Sequence, residues 1–473
     1  MKLDDFLHEI NVTETNCNGA ERVINGVYDS RKVSENYAFF DFNEGKYVAD
    51  AIKNGATVVV SEKSFPEYRF VTVDDVRKAF CVFCSVLFSR PEEKTRFIAV
   101  VGTNGKTSTV KIIDHVLRSN GYKTANIGTL GAEINGVTYS TEMTTPDTDA
   151  FYRLINLATR ENVDYVIIEL SAHAIYFKKL YNIVFDYCVF TNATPDHLDF
   201  FENMPKYIEV KKSVFLGKNV KCAVINVDDE TGRDIIAERK EKTLTYGLYN
   251  PSDTFAIDVK YDTGINCVVN SCDEISELVT PLCGEFNLMN ALAAISVCVN
   301  IGIPIYRVCT ALSSMPSIDG RYNVLYGKAT VIIDYAHTPD GLEKVLSTAR
   351  KITKRRLIAV FGCGGNRDKQ KRAVMGETAT RLSDFTIITS DNPRFEAPEK
   401  IIEDVIIGAE KTGKNYCVET DREKAVKKAL YMAEQGDVVV IAGKGAEEYM
   451  EIAGKRVPFS DKKICQEILG RKS

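Results

Sequence analysis

Residues 102–108 read Gly-Thr-Asn-Gly-Lys-Thr-Ser, directly after the apolar run Ile98-Ala-Val-Val101 and before a helical pattern marked by Val110, Ile112, Ile113, Val116 and Leu117. Strand, glycine turn and helix in that order make an anion site, because backbone N–H groups and the positive helix end converge above the turn. Gly102 and Gly105 permit the tight turn. Thr103, Asn104 and Ser108 complete the cradle, Lys106 supplies a cation for β- and γ-phosphates, and Thr107 offers a hydroxyl to Mg²⁺. A strict P-loop would have glycine where Val100 stands, so this is a shortened variant. The chemistry expected is nucleotide phosphate transfer.

Other candidates lie at the ends of apolar runs. Glu169 falls near the end of Tyr165–Leu170, where parallel sheets hold ligand-contacting groups, although a strand-end Glu without context is more often a solvated cap. Asp334 ends Val331-Ile-Ile-Asp, a position acidic residues use for ribose hydroxyls. Arg367 and Arg394 follow the runs Leu357–Phe361 and Phe385–Thr389; their planar forks suit carboxylates, while a lone surface arginine is usually solvated. Lys211 and Lys212 are adjacent on an amphipathic helix pattern, which by spacing alone is a charged face. Asn287, at a helix start, reads as a cap. Cys81-Val-Phe-Cys84 has no second Cys or His pair, and its apolar neighbours favour a buried helix over half a metal site.

Parallel α/β scaffolds must position these groups, and short Val/Ile-rich runs do alternate with helical patterns almost to the end. A chain of 473 residues implies several domains. The polar stretch Ser89–Arg96 and the segment Pro316–Gly320 divide it into expected units 1–92, 93–318 and 319–473, with the ATPase in the second and a Rossmann-like pattern in the third. A net charge of -5 lacks the basic excess a nucleic-acid binder needs. No secretory pattern opens the sequence, and no apolar stretch approaches the roughly 18 residues of a membrane span, so a cytoplasmic protein without a membrane partner is expected. The 13 Cys are mostly single, which implies reduced thiols.

The motifs also form an ordered set: Asp29-Ser30-Arg31, Thr144-Thr145-Pro146, Glu169-Leu-Ser171-Ala-His173, Asp196-His197-Leu-Asp199, Gly284-Glu-Phe-Asn287 with Asn290, Gly320-Arg321, Asp334-Tyr-Ala-His337-Thr-Pro339, Gly362–Asp368, Asp391-Asn392-Pro-Arg394 and Gly443-Lys-Gly445. Over roughly residues 20–460 this set resembles the Mur ligase family, which also contains folylpolyglutamate synthases, and within it the tripeptide-forming branch. The resemblance implies an α/β chain of three domains: a small UDP-binding one, a central P-loop-type ATPase with a mainly parallel sheet, and a C-terminal Rossmann-like one that brings in the amino acid. It implies a monomer that joins an amino acid to UDP-MurNAc-L-Ala-D-Glu through an acyl phosphate, using ATP and Mg²⁺. Glu169 and His197 would join Thr107 at the metal or phosphates, and Lys211 would carry a CO₂-derived carbamate there. Asn290 would meet adenine and Arg321 phosphate, with His337 shaping the hinge. Ser30, Thr144, Thr145, Ser171 and Lys179 would contact the UDP-muramoyl dipeptide.

For the incoming amino acid the resemblance implies meso-diaminopimelate, with Arg367, Asp391, Asn392 and Arg394 at carboxylates, Gly443 beside them and Glu447 at the distal ammonium. A wrong amino acid would then leave Arg394 or Glu447 unpaired, at about 1–3 kcal/mol each. A lysine-adding ligase is the nearest alternative, and a non-catalytic relative that only binds these ligands is another. Four departures from the family pattern stand out: the abbreviated stretch Ala38–Gly45, Lys179 for a usual Arg, Asn323 for a usual Glu and Ala446 for a usual His.

Overall fold

The computed structural model describes residues 1–470 apart from 262–263 and 414, so the last three residues of the expected third unit lie outside the described residues. Three α/β sheets follow one another along the chain. In the first, strands Asn25–Val27, Tyr37–Phe40, Ala56–Ser61 and Phe70–Val73 run parallel, and Val12–Thr15 adds an antiparallel edge.

The second sheet has eleven strands, and Arg96–Val101 lies in its interior. Its residues after Arg96 are buried, which is why they read as an unbroken apolar run rather than an alternation. Tyr165–Glu169 pairs with it in parallel on one side and Phe185–Phe190 on the other. The strand order therefore reverses at Arg96–Val101, and such a switch opens a crevice at the carboxyl ends of the strands. That crevice receives residues 102–108, Glu169 and the Thr191-Asn192 turn together.

Helix Lys106–Ser119 packs with helix Glu285–Ile301 over one face of this sheet. On the other face, helices Val76–Leu87 and Thr148–Arg160 share one core with the first sheet, through Phe40, Phe80 and Phe83 on one side and Phe97 and Phe151 on the other. Cys81 and Cys84 are buried in the first of these helices. The antiparallel strands Gly131–Ile134 and Val137–Tyr139 extend one edge of the sheet; at the other, Thr254–Tyr261 joins in parallel and Ile265–Ser271 and Glu274–Thr280 follow it antiparallel.

In the third sheet the parallel strands lie in the order Thr330–Asp334, Val438–Ala442, Leu357–Phe361, Phe385–Ile388, Tyr416–Val418, with Asn323–Tyr326 antiparallel at the edge. The loops after its first four parallel strands all open at one rim. They carry Asp334–His337, Gly443–Glu447, Gly362–Asp368 and Thr389–Arg394. A hairpin, Tyr449–Ile452 with Lys455–Pro458, stands beside the last of these.

Candidate functional site

The 102–108 loop is held from outside. Thr191 Oγ1 donates to Asn104 O at 2.6 Å, and Asn104 N donates to Asn192 Oδ1 at 3.0 Å. Gly105 adopts φ +86°, where glycine is favoured. Gly102 has a different reason: a Cβ there would stand 1.8 Å from Thr191 Oγ1, so it is small for close approach rather than for an unusual dihedral. Lys106 is folded back, donating to Gly102 O at 2.8 Å and Thr103 O at 2.9 Å. Burial pushes its pKa down, against the charges of Glu169 and Asp196. Glu169 is buried and accepts from Thr129 N at 2.8 Å and Thr129 Oγ1 at 3.0 Å.

The two adjacent lysines part company. Lys212 pairs with Glu238 at 2.5 Å, whereas Lys211 is fully buried, donates to Thr103 Oγ1 at 2.7 Å and lies 4.0 Å over the Tyr207 ring. Burial, then the charge of Lys106, holds the Lys211 pKa well below its ordinary value. His197 caps a short helix from a left-handed backbone, φ 54°. Burial outweighs the neighbouring Asp196 and pushes its pKa down to about 4, so the ring is neutral near pH 7. Asp196 was not singled out from sequence as a site residue. Although buried, it stays ionised well below the usual carboxylate range, through His337, His197 and Lys371. His337 Nε2 and Lys371 Nζ reach it from the third sheet at 3.7 and 3.8 Å.

Further bonds bridge the same cleft. Arg321 Nη2 donates to Thr107 Oγ1 at 2.9 Å while its guanidinium lies 4.3 Å over Tyr335, and Asn104 Nδ2 donates to Asp340 Oδ2 at 2.8 Å. Asp334 braces the hinge, accepting from Tyr322 N at 2.6 Å and Ala336 N at 2.7 Å; burial pushes its pKa up. Asn290 accepts from Thr109 Oγ1 at 3.3 Å and packs against Gly105. Asn287 does not cap its helix; Gly284 holds that position, and Asn287 Nδ2 bonds back to Cys283 O at 2.9 Å. A cavity of about 650 Å³ results, lined from the central sheet by residues 103–108, Glu169, Ser171, His197 and Asn290, and from the third by Arg321, Asp334, His337 and Arg367. Among the described residues no three His, Cys, Asp or Glu side chains form a metal-binding group.

The remaining expected contacts divide between this cavity and a second. Thr144 lines the first cavity, but Thr145 is a buried brace, bonded to Glu169 O at 2.7 Å and to Ser171 N at 2.9 Å. Ser30 is buried. Its neighbours Tyr28, Asp29 and Lys32 face Thr138–Met143 and Arg153 across a cavity of about 720 Å³ between the first two sheets. Lys179 is spoken for, pairing with Asp147 at 2.6 Å, and Asp147 also accepts from Tyr28. The abbreviated stretch after Phe40 is a tight turn in which Asp41 accepts from Asn43 N at 3.1 Å and Gly45 N at 2.6 Å.

At the rim of the third sheet, Arg367 is exposed, whereas Arg394 pairs with Glu451 at 3.0 Å and donates to Gly365 O at 2.9 Å. Glu447 accepts from Asn392 Nδ2 at 2.9 Å and from the fully buried Lys444 at 2.7 Å. The expectation that a wrong amino acid strands Arg394 and Glu447 without partners therefore fails, because each has an internal partner of opposite charge. Glu451 was missed, and nothing in its local spacing marks it; Lys444 lies inside the Gly443-Lys-Gly445 motif but was given no role of its own. Asp391 Oδ2 is buried without a hydrogen-bond partner, and Gly443 is required beside it, since a Cβ would lie 2.5 Å from that oxygen.

Residues 100–298 match the family model described as the Mur ligase middle domain, and residues 320–445 that described as Mur ligase, glutamate ligase domain. UDP-N-acetylmuramoyl-L-alanyl-D-glutamate–2,6-diaminopimelate ligase 1 of Clostridium acetobutylicum is 39% identical over 457 residues, 93% of this chain and 94% of the relative. The Clostridium tetani protein named as the same ligase is 38% identical over 488 residues, 99% of each. A solved structure carrying that name superposes with a TM-score of 0.71 at 30% identity, over 99% of both chains. The fold is shared more widely: Mycobacterium tuberculosis folylpolyglutamate synthase gives 0.64 at 17% identity over 77% of this chain and 91% of its own. Similarity of this extent, running through both the loop-bearing sheet and the sheet that faces it, establishes that the chain belongs to the Mur ligase family.

Proposed function

We propose that the protein joins meso-2,6-diaminopimelate to the γ-carboxylate of D-Glu in UDP-MurNAc-L-Ala-D-Glu, consuming ATP, in the assembly of a cell-wall peptide precursor. The observation that carries this reading is the single cavity in which the phosphate loop, Glu169 and His197 face Arg321, Asp334 and Arg367 across two sheets. Two relatives more than a third identical over nearly the whole chain and named for this reaction support it.

The γ-carboxylate attacks the γ-phosphorus of ATP, ADP leaves, and the acyl phosphate is then attacked by the amine, releasing inorganic phosphate. Both partners of the first step are anionic, so Lys106 and Arg321 screen them. Mg²⁺, when bound, would neutralise phosphate oxygens; it takes few protein ligands, and Thr107, Glu169 and a carbamate on Lys211 are among the oxygen donors this site would offer, with neutral His197 beside them. Lys211 fits the modification: buried, without an ion-pair partner among the described residues, and held towards the uncharged amine that adds to CO₂ with loss of a proton. The cavity between the first two sheets suits the UDP end, with residues 1–92, 93–318 and 319–473 acting as UDP-binding, ATP-binding and amino-acid-binding units of a cytoplasmic monomer. Among the described residues no helix is long and apolar enough to cross a membrane.

The test is turnover with ATP, Mg²⁺ and UDP-MurNAc-L-Ala-D-Glu, with meso-diaminopimelate or L-lysine supplied in parallel and the product weighed by mass spectrometry. Product with diaminopimelate is expected. Product with lysine alone refutes the assignment of the amino acid, and no product with either refutes the ligase reading of this cavity.

A further inference from the structure

We propose that Glu451 is a positioning residue of the amino-acid clamp, fixing Arg394 so that the outer edge of its guanidinium meets a carboxylate of the substrate. The inference rests on the reading of Arg394 given above.

Glu451 lies in the hairpin strand Tyr449–Ile452, which runs along the Asp391–Arg394 loop. Its amide donates to Asn392 Oδ1 at 2.8 Å and its carbonyl accepts from Arg394 N at 2.9 Å, while its carboxylate forms an ion pair with Arg394, Oε2 lying 3.0 Å from Nε. Ala453 N completes the seam by donating to Arg394 O at 2.7 Å. On the far side Arg394 Nη1 donates to Gly365 O at 2.9 Å. The guanidinium is thus held by an ion pair beside Nε and a hydrogen bond at Nη1, while Nη2 has no partner among the described residues. The pair is only partly exposed, 20% for Arg394 and 31% for Glu451, as a clamp at a cleft rim must be. An arginine side chain free to rotate loses that freedom when a carboxylate binds, and one already fixed does not. The hydrogen bonds that the main chain makes along the seam survive truncation of the Glu451 side chain, so the effect of the carboxylate can be read without dismantling the loop.

The experiment is a titration of meso-diaminopimelate at saturating ATP and UDP-MurNAc-L-Ala-D-Glu, using the full chain and the variants Glu451→Ala and Glu451→Gln. Glu451→Ala is expected to raise KM for diaminopimelate roughly three- to tenfold, the range that follows from one side chain immobilised on binding. KM for ATP and the melting temperature stay unchanged, and kcat moves less than KM. Glu451→Gln keeps the bulk and an oxygen beside Nε but not the charge, and gives a KM between those of the original and the Ala variant. An unchanged or lower KM in Glu451→Ala, a Gln variant as impaired as the Ala variant, or an equal rise in KM for ATP would overturn the proposal. A wild-type protein that uses only lysine would overturn both this inference and the reading beneath it, and that result precedes any variant.

Discussion

Replacing Lys211 by Met should give a protein at least as stable as the original and almost inactive. Met conserves the length of the side chain in a site with no solvent exposure. The change removes a hydrogen bond to Thr103 Oγ1 at 2.7 Å, worth about 1.5–3 kcal/mol if the amine is charged, and a contact over Tyr207 worth about 0.5–2 kcal/mol. Against this, an amine buried without an acidic partner carries a desolvation cost of several kcal/mol, relieved by an apolar replacement. The balance runs from neutral to about 2 kcal/mol more stable. Turnover should fall by about a hundredfold or more, since the variant can form no carbamate. Urea unfolding and phosphate release, each in CO₂-depleted buffer and after adding bicarbonate, separate the two effects. Bicarbonate should restore turnover to the depleted original and do nothing for the variant. A variant that is markedly less stable and still turns over would refute the reasoning, because Lys211 would then be a structural cation.

Arg321→Ala removes a cation from the phosphate loop together with the bond to Thr107 and the stack on Tyr335, and should raise KM for ATP about tenfold and lower stability in urea by about 1–2 kcal/mol. Gly105→Ala places a Cβ 2.4 Å from Asn290 Oδ1 at a left-handed φ; calorimetry should show ADP binding lost, together with about 1–2 kcal/mol of stability, and Asn290→Ala should recover only the steric part. The Arg372 hydrogen bond holds the Glu396 pKa down to about 2, from 4.5. Its stabilisation is complete above the unfolded value and is lost as pH falls through 4.5 towards 2, so the stability gap between wild type and Glu396→Gln in urea should narrow by roughly 0.5–1 kcal/mol from pH 6 to pH 4.

What could be read from sequence followed the length over which its cause acts. The phosphate loop is local: a strand, seven residues and a helix, each with its own pattern. Glu169 and Asp334 were legible because a buried parallel strand announces its carboxyl end. The size of Gly102 was read as a turn requirement because its real constraint, Thr191, arrives on another strand. Lys211 and Lys212 cannot be separated by helical periodicity, since one step of 100° places either at the edge of an apolar stripe; only the packing of Tyr207 and Thr103 buries the first. The strand Thr254–Tyr261 was not anticipated because its buried and exposed positions do not keep a period of two, although its neighbour Ile265–Ser271 alternates strictly. Asp196 draws His337 and Lys371 from another sheet, so its charge state depends on how two sheets face each other.

The amino-acid rim shows why this last kind of information bears on specificity. From sequence, Arg394 and Glu447 are a cation and an anion awaiting opposite charges on the substrate, and a misfit would be penalised by leaving them bare. In the fold, Arg394 has Glu451 and Glu447 has Lys444, linked through Asn392. An amino acid without a second carboxylate therefore leaves no naked charge behind; it merely fails to gain the bonds that Nη2 of Arg394 can still offer. A gain forgone is worth one or two charge-assisted hydrogen bonds, about 1.5–3 kcal/mol each, whereas a stranded buried charge would add its desolvation on top. Discrimination at this rim is thus graded by how well the guanidinium is presented to a carboxylate, which makes the neighbours that orient Arg394 as important to substrate choice as the arginine itself.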